Sequence, residues 1–400
     1  MKQNFIAFSV FVLWINPLFG QWIKTGFPCD CTVQDVHVRG DDVFAFGLGD
    51  GMMRSSDQGQ TWEPASSGIT SFFGQKIASN DQYLFVATGN GVFRSANNGD
   101  NWEQLNMGNT GIINPSFFWS VAARGSTIVA CATTRVFYST NNGDSWTLSP
   151  LFLSSSTGYV FDAILLDSTT WVIAGSENVA VTNDAGVTWS EYVTGTNYDL
   201  ESIAAYHDTL YVGSTGDGIF KSGDQGVTWV LEDSYPAEIT CNSNIRDLLV
   251  LEDRLFVSNN DCGVAVKDRE TGSWSYINEN LGALNVLALA GNDQYLYGST
   301  NVGLWRLGLT TSTTHPPKAV ELSLAPNPAT EIVYLSSQSP EKLLQYYVVD
   351  VTGKPVTLLS EVFQGANQTA IPVDHLPAGF YAVVVRSDHG VKLMPFVIAR

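Results

Sequence analysis

SSDQGQTW, residues Ser55–Trp62, is the stretch on which the fold turns, because the chain keeps repeating it. It returns as SANNGDNW at Ser95–Trp102, STNNGDSW at Ser139–Trp146, TNDAGVTW at Thr182–Trp189 and SGDQGVTW at Ser222–Trp229, and a degraded copy, KDRETGSW, ends at Trp274. A short alternating segment precedes each copy (GMMRS, GVFRS, RVFYS, NVAVT, GIFKS, GVAVK), and a seventh, GLWRL, starts at Gly303. These segments begin at 51, 91, 135, 178, 218, 263 and 303, a spacing of 40 to 45 residues that marks a repeat architecture.

The chemistry of the repeat reads as strand, tight turn, strand, with period-2 alternation on both sides. Asp57, Asn97, Asn141, Asp184 and Asp224 can accept bonds from turn N–H groups. Gly59, Gly99, Gly143, Gly186 and Gly226 supply the positive φ such a turn needs. Trp62, Trp102, Trp146, Trp189 and Trp229 then bury a large ring whose N–H can find a carbonyl. Two more alternating segments precede each third strand, for example DVHVRG and VFAFGL before GMMRS. Four antiparallel strands in about 42 residues is a propeller blade, so residues 21–310 are expected to form an all-β, seven-bladed propeller. The seventh unit lacks its turn and fourth strand, and Gln21–Gly26 resembles a post-turn segment. That N-terminal strand is expected to close the ring and remove an exposed edge.

Composition bounds the function. The 400 residues are 44% hydrophobic and 15% charged, with a net charge of −19. Such an acidic chain does not suit nucleic acid, whose phosphates need clustered Lys and Arg. An apolar run from Phe5 to Ile15 after Lys2, broken by Pro17, has the layout of a secretory signal peptide over residues 1–20, and is too short for a transmembrane anchor. An oxidising destination follows. Cys241 and Cys262 flank a strand pair and are expected to bridge; Cys131 reads as a buried thiol; Cys29 and Cys31 could be a small disulfide or free thiols. No second Cys pair or paired His completes a zinc site beside them, and neither a metal nor any other cofactor is expected.

The repeated turns resemble the Asp-box, or BNR, motif of bacterial sialidases, sortilin-type receptors, xyloglucan-active hydrolases and photosystem II assembly factor propellers. The resemblance implies that the boxes are structural and lie opposite the ligand face. Beyond a polar linker at 311–319, residues 320–400 change to strands without boxes and are expected to form a small Ig-like β-sandwich. Pro326-Asn327-Pro328-Ala329, Val349–Gly353 and Leu376–Tyr381 in this part resemble the type A C-terminal sorting domain of the type IX secretion system of Bacteroidetes. That implies partnership with the secretion machinery, passage across the outer membrane, and release to the medium or attachment at the cell surface.

Two functions compete for the propeller. Sialidase chemistry, as the resemblance implies, needs an Arg-Ile-Pro segment and three arginines on a carboxylate; no Arg-Ile-Pro occurs, and Arg54, Arg94, Lys221 and Arg306 recur at one place before the box. Carboxylate-pair glycoside hydrolysis stays open, with Asp35, Asp162, Glu201 and Asp247 near the starts of first strands as candidates. The preferred reading is a monomeric, non-catalytic binding propeller for a glycan or an extracellular protein. Its candidate contacts are the aromatics Phe73, Phe118, Trp119, Tyr159, Tyr198 and Tyr235 between blades.

Overall fold

A computed structural model describes residues 19–71, 73–108, 117–151, 153–154, 158–232, 244–268, 271–309, 322–326, 328–337, 343–350, 356, 360–361, 368–387 and 390–399. Seven four-stranded antiparallel sheets follow one another along the chain, and an eighth and ninth sheet lie in the C-terminal part. The first strands of the seven blades are Val33–Arg39, Gly74–Ser79, Phe118–Arg124, Val160–Leu165, Leu200–Tyr206, Ile245–Leu251 and Val286–Gly291. Each touches the first strands of its two neighbours, and blade 7 meets blade 1, so the ring is closed.

The second strands, such as Asp42–Gly47, Thr127–Ala132 and Trp171–Gly175, are buried along nearly their whole length. Their unbroken apolar runs follow from packing on two faces, one against each neighbouring blade. Clusters such as Phe44, Phe46, Ile77, Val86 and Trp102 therefore draw residues from consecutive units. The fourth strands of blades 1 to 6 are short, from the two residues Glu63–Pro64 to the four of Ser190–Val193, and mostly exposed.

Blade 7 is completed by Phe19–Lys24, which pairs with Gly303–Leu309. The pairing starts two residues ahead of the expected Gln21 and ends before Gly26; residues 1–18 lie outside the described ones. Trp22 in this strand is 2% exposed and donates its indole N–H to the Ile277 carbonyl. Gly26 then docks on the turn of blade 1: its N–H reaches Gly59 O at 2.8 Å, and a Cβ there would lie 2.0 Å from Gln60 O. Only glycine permits that approach.

In each repeat turn the first hydroxyl accepts the glycine N–H, as Ser55 does from Gly59 at 2.8 Å and Thr182 from Gly186 at 3.0 Å. Asp57, Asp184 and Asp224 each accept the backbone N–H of the following Thr at 2.8 Å and its hydroxyl at 2.6 Å. Asn97 and Asn141 accept the equivalent N–H at 2.9 and 3.0 Å. The residue before each glycine is also left-handed, for example Gln58 (φ 61°) and Asn98 (φ 57°). Its carbonyl is thereby turned outward: Arg54 donates to Asn98 O, Arg94 to Asn142 O and Arg306 to Gln58 O, all in the next blade. Trp62, Trp146, Trp189 and Trp229 donate to the carbonyl of their own turn glycine, whereas Trp102 donates to Ala65 O of blade 1 at 2.7 Å.

Cys29 and Cys31 are disulfide-bonded, Cys131 is a free buried thiol, and Cys262 is disulfide-bonded and buried. Its expected partner, Cys241, lies outside the described residues.

Gly20–Leu309 form one compact unit. The described C-terminal residues form two sheets, one of Leu322–Ala325, Ile332–Ser337 and Gln368–Pro372, the other of Leu343–Asp350, Ser360–Glu361, Gly379–Ser387 and Gly390–Ile398. Val333, Leu335, Val348, Ile371, Val383 and Phe396 fill the space between them. Ala329 donates its N–H to Val397 O and accepts from Ala399 N–H, and Tyr381 Oη reaches Pro377 O at 3.0 Å. The expected linker lies outside the described residues.

Candidate functional site

Every first strand carries a bulge at the same place, between its first and third residues. The extra residue puts two successive side chains toward the channel where one would otherwise point. Two tiers result. The bulged residues Gln34, Gln75, Trp119, Phe161, Glu201, Arg246 and Leu287 lie at the mouth, and the next ones, Asp35, Lys76, Ser120, Asp162, Ser202, Asp247 and Ala288, lie below. Strand register puts Asp35 level with Phe46 and Met52, while the repeat turn leaves the third strand after Ser55, at the other end of the blade.

The lower tier is a set of staples. Asp35 accepts the Ile77 N–H at 2.6 Å, Asp162 accepts from Ile203 at 3.3 Å, and Asp247 accepts from Leu289 at 2.8 Å. Each bond crosses to the following blade. Ser120 Oγ donates to the other oxygen of Asp162 at 2.6 Å, and Lys76 Nζ lies 3.2 Å from Asp247 Oδ1. The three aspartates are 2%, 7% and 5% exposed.

Burial lifts Asp35 to about 7; Asp247 adds to the rise while Lys76 and the Ile77 N–H oppose it. Burial also raises Asp162 and Glu201, each against the pull of one cation, Lys76 and Arg246 respectively. For Lys76 burial opposes the charge, but Asp247, Asp162 and Asp35 together hold the ammonium above its ordinary range. A second cavity, of ≈ 230 Å³, is lined by Asp35, Lys76 and Asp247 together with His37, which bonds Ser79 Oγ at 2.8 Å. Burial, with Lys76 and Arg39 adding to it, lowers His37 to about 4.

The mouth differs in kind. Glu201 and Arg246 form an ion pair across blades 5 and 6. Trp119 packs 4.5 Å from Phe117 and 5.7 Å from Phe161, and Phe161 lies 6.2 Å from Tyr159, so four rings run without a gap along blades 3 and 4. Phe117 continues the line onto Gly89 of blade 2, beside Phe73.

The four acidic candidates thus separate: Asp35, Asp162 and Asp247 share the buried tier, and Glu201 sits above them. Among the aromatics, Phe73, Tyr159 and Tyr198 are exposed and Trp119 is half-buried at the mouth. Phe118 is 1% exposed and packs on Phe137 inside the ring, because the bulge sends residues 119 and 120 inward and leaves 118 in the blade interior. It is not available to a ligand. Tyr235 lies outside the described residues. Gln34, Gln75, Lys76 and Phe161 were missed from sequence; aligning the seven first strands column by column would have placed them beside Asp35 and Trp119.

Residues 323–399 match the family described as the secretion system C-terminal sorting domain. The C-terminal module is a type IX secretion sorting domain. It directs export to the cell surface or medium and implies engagement with that secretion system. A search of curated proteins gives no match. Among solved structures the chain is similar to PorZ, a surface component of the type IX secretion system of Porphyromonas gingivalis (16% identity, TM-score 0.52), covering 94% of this chain and 60% of PorZ. It is similar to YCF48 from Cyanidioschyzon merolae (13%, TM-score 0.57; 74% and 100% covered) and to an ancestral GH74 enzyme (12%, TM-score 0.58; 94% and 63% covered). At these identities the shared property is the propeller. No helix among the described residues is long and apolar enough to cross a membrane.

Proposed function

We propose that the protein, carried out of the cell by its sorting domain after loss of residues 1–20, works there as a non-catalytic binding propeller with its ligand at the channel mouth. The observation that supports this most is the engagement of the lower-tier carboxylates. A glycoside hydrolase needs two carboxyl groups that reach opposite sides of one glycosidic bond. Asp35, Asp162 and Asp247 instead hold backbone amides of neighbouring blades and are nearly closed to solvent. Glu201, the accessible one, is tied to Arg246. The mouth offers rings, amides and a compensated ion pair, which are means of binding rather than of proton transfer.

Carboxylate-pair hydrolysis is the alternative. The raised Asp35 favours it, since a general acid must hold its proton near neutrality, but that carboxyl is 2% exposed and is already engaged by the Ile77 N–H. Asp162→Asn and Asp247→Asn, assayed for release of reducing sugar from polysaccharides, separate the two. Turnover by the native protein that both variants abolish establishes the enzyme. For export, deletion of residues 320–400 should leave the propeller in the periplasm, and wild-type amounts of truncated protein outside the cell would refute the route.

A further inference from the structure

The mouth carries a narrower reading, which rests on its being the binding site. Its two cations are already neutralised: Lys76 lies against Asp247, and Arg246 against Glu201. An anionic ligand would add charge to a channel that already holds Asp35, Asp162, Asp247 and Glu201. A cationic one would meet the remaining carboxylates, Asp35 and Asp162, only in the buried tier, where they already accept amides of the next blade. The recess itself is small, ≈ 90 Å³, so it admits the end of a chain rather than its length.

Hydrogen-bonding capacity remains unused there. Trp119 Nε1 and Arg246 Nε have no partners but are buried, so they lie behind the recess surface rather than on it. The amides of Gln34 and Gln75 line the same recess and offer both donors and acceptors. Groups that donate and accept at once, without charge, match this set. Hydroxyls do so, whereas a carboxylate can only accept and an ammonium can only donate. The rim supplies the other half of the chemistry, the contiguous rings of Phe117, Trp119, Phe161 and Tyr159, whose apolar faces suit the C–H face of a pyranose.

We infer that the channel mouth takes the uncharged terminal sugar of a glycan end-on, with its hydroxyls on the amides of Gln34 and Gln75 and the following sugar along the aromatic rim that Trp119 anchors. A peptide fits the recess less well, because each of its ends is charged. The geometry therefore separates ligands by their ends.

The test is an array of oligosaccharides with neutral hexose or N-acetylhexosamine ends, matched oligosaccharides ending in a uronic or sialic acid, and random peptides, probed with the full mature chain. Binding should concentrate on neutral ends. It should weaken about tenfold in Trp119→Ala, the loss expected of an aromatic hot spot, and measurably in Gln75→Leu, which removes the amide while keeping the side chain's size. Thermal melting confirms that each variant is folded, and Gln75→Leu carries the test if Trp119→Ala is not. Preference for acidic ends or for peptides, still lost in both variants, would overturn the sugar and leave the mouth as a site. Binding that neither variant changes would overturn the mouth itself, and no signal on neutral ends would overturn the inference outright.

Discussion

Aspartate does opposite things at the two ends of a blade. In the repeat turns Asp57, Asp184 and Asp224 stand in solvent and accept bonds from Thr hydroxyls and turn amides; those bonds pull Asp57 and Asp224 down to about 2 and lower Asp184. In the channel Asp35 and Asp162 accept backbone bonds too, yet burial outweighs them and drives both upward. The same side chain and the same kind of donor give contrary shifts because desolvation, outweighed by the hydrogen bonds at the turn, dominates in the channel. A carboxylate in a turn is a local fastener, and one in the channel depends on a cation contributed by another blade.

The contrast can be broken at either end. The largest loss is expected from Trp102→Ala in the turn region: the ring is 6% exposed and bonded to Ala65 O, so removal should cost roughly 3–5 kcal/mol in a denaturant titration. Ligand binding per folded molecule should be unchanged. Lys76→Met comes next. It takes the internal cation from the channel carboxylates, and because the lysine side chain is 30% exposed the cost should be about 2 kcal/mol, below that of a fully buried pair. A change under about 0.5 kcal/mol would show that the lower tier is merely a solvated wall.

Asp35→Asn tests the sign. With a folded value of about 7 against 3.8 unfolded, Asp35 favours the fold fully below about pH 4, and that contribution is lost as the pH rises through 7. The amide keeps an acceptor for Ile77 and carries no charge, so the variant should be more stable than the wild type at pH 8 and equal to it at pH 4. A loss at pH 8 would mean that the ionised carboxylate is what the channel requires. The smallest effect belongs to Asp224→Asn. A carboxyl lowered to about 2 supports the fold above about pH 4 and ceases to as the pH falls through 2. The variant should resemble the wild type at pH 7, as Asn97 and Asn141 already serve in two turns, and should flatten the melting temperature between pH 4 and 2.

The sequence alone determined whatever depends on local chemistry repeated often enough to be seen. Ser or Thr, Asp or Asn, Gly and Trp at fixed offsets specify one turn, and its recurrence counts the blades. The unpaired seventh unit called for a strand from the N-terminus, which Phe19–Lys24 supplies. PNPA and LPAGFY marked the sorting domain because their contacts, Ala329 to the last strand and Tyr381 to Pro377, are properties of that module alone. Tertiary structure decided the channel. A bulge leaves no mark in one strand read by itself, yet it sets which residue faces the axis, sending Trp119 to the mouth and Phe118 to the core. Nor could the sequence show that Lys76 would meet Asp247, 171 residues away, or that Asp35 would be spent on an amide of the next blade. Those roles come from closing the ring, which gathers seven distant strand starts around one axis and excludes water from their carboxylates.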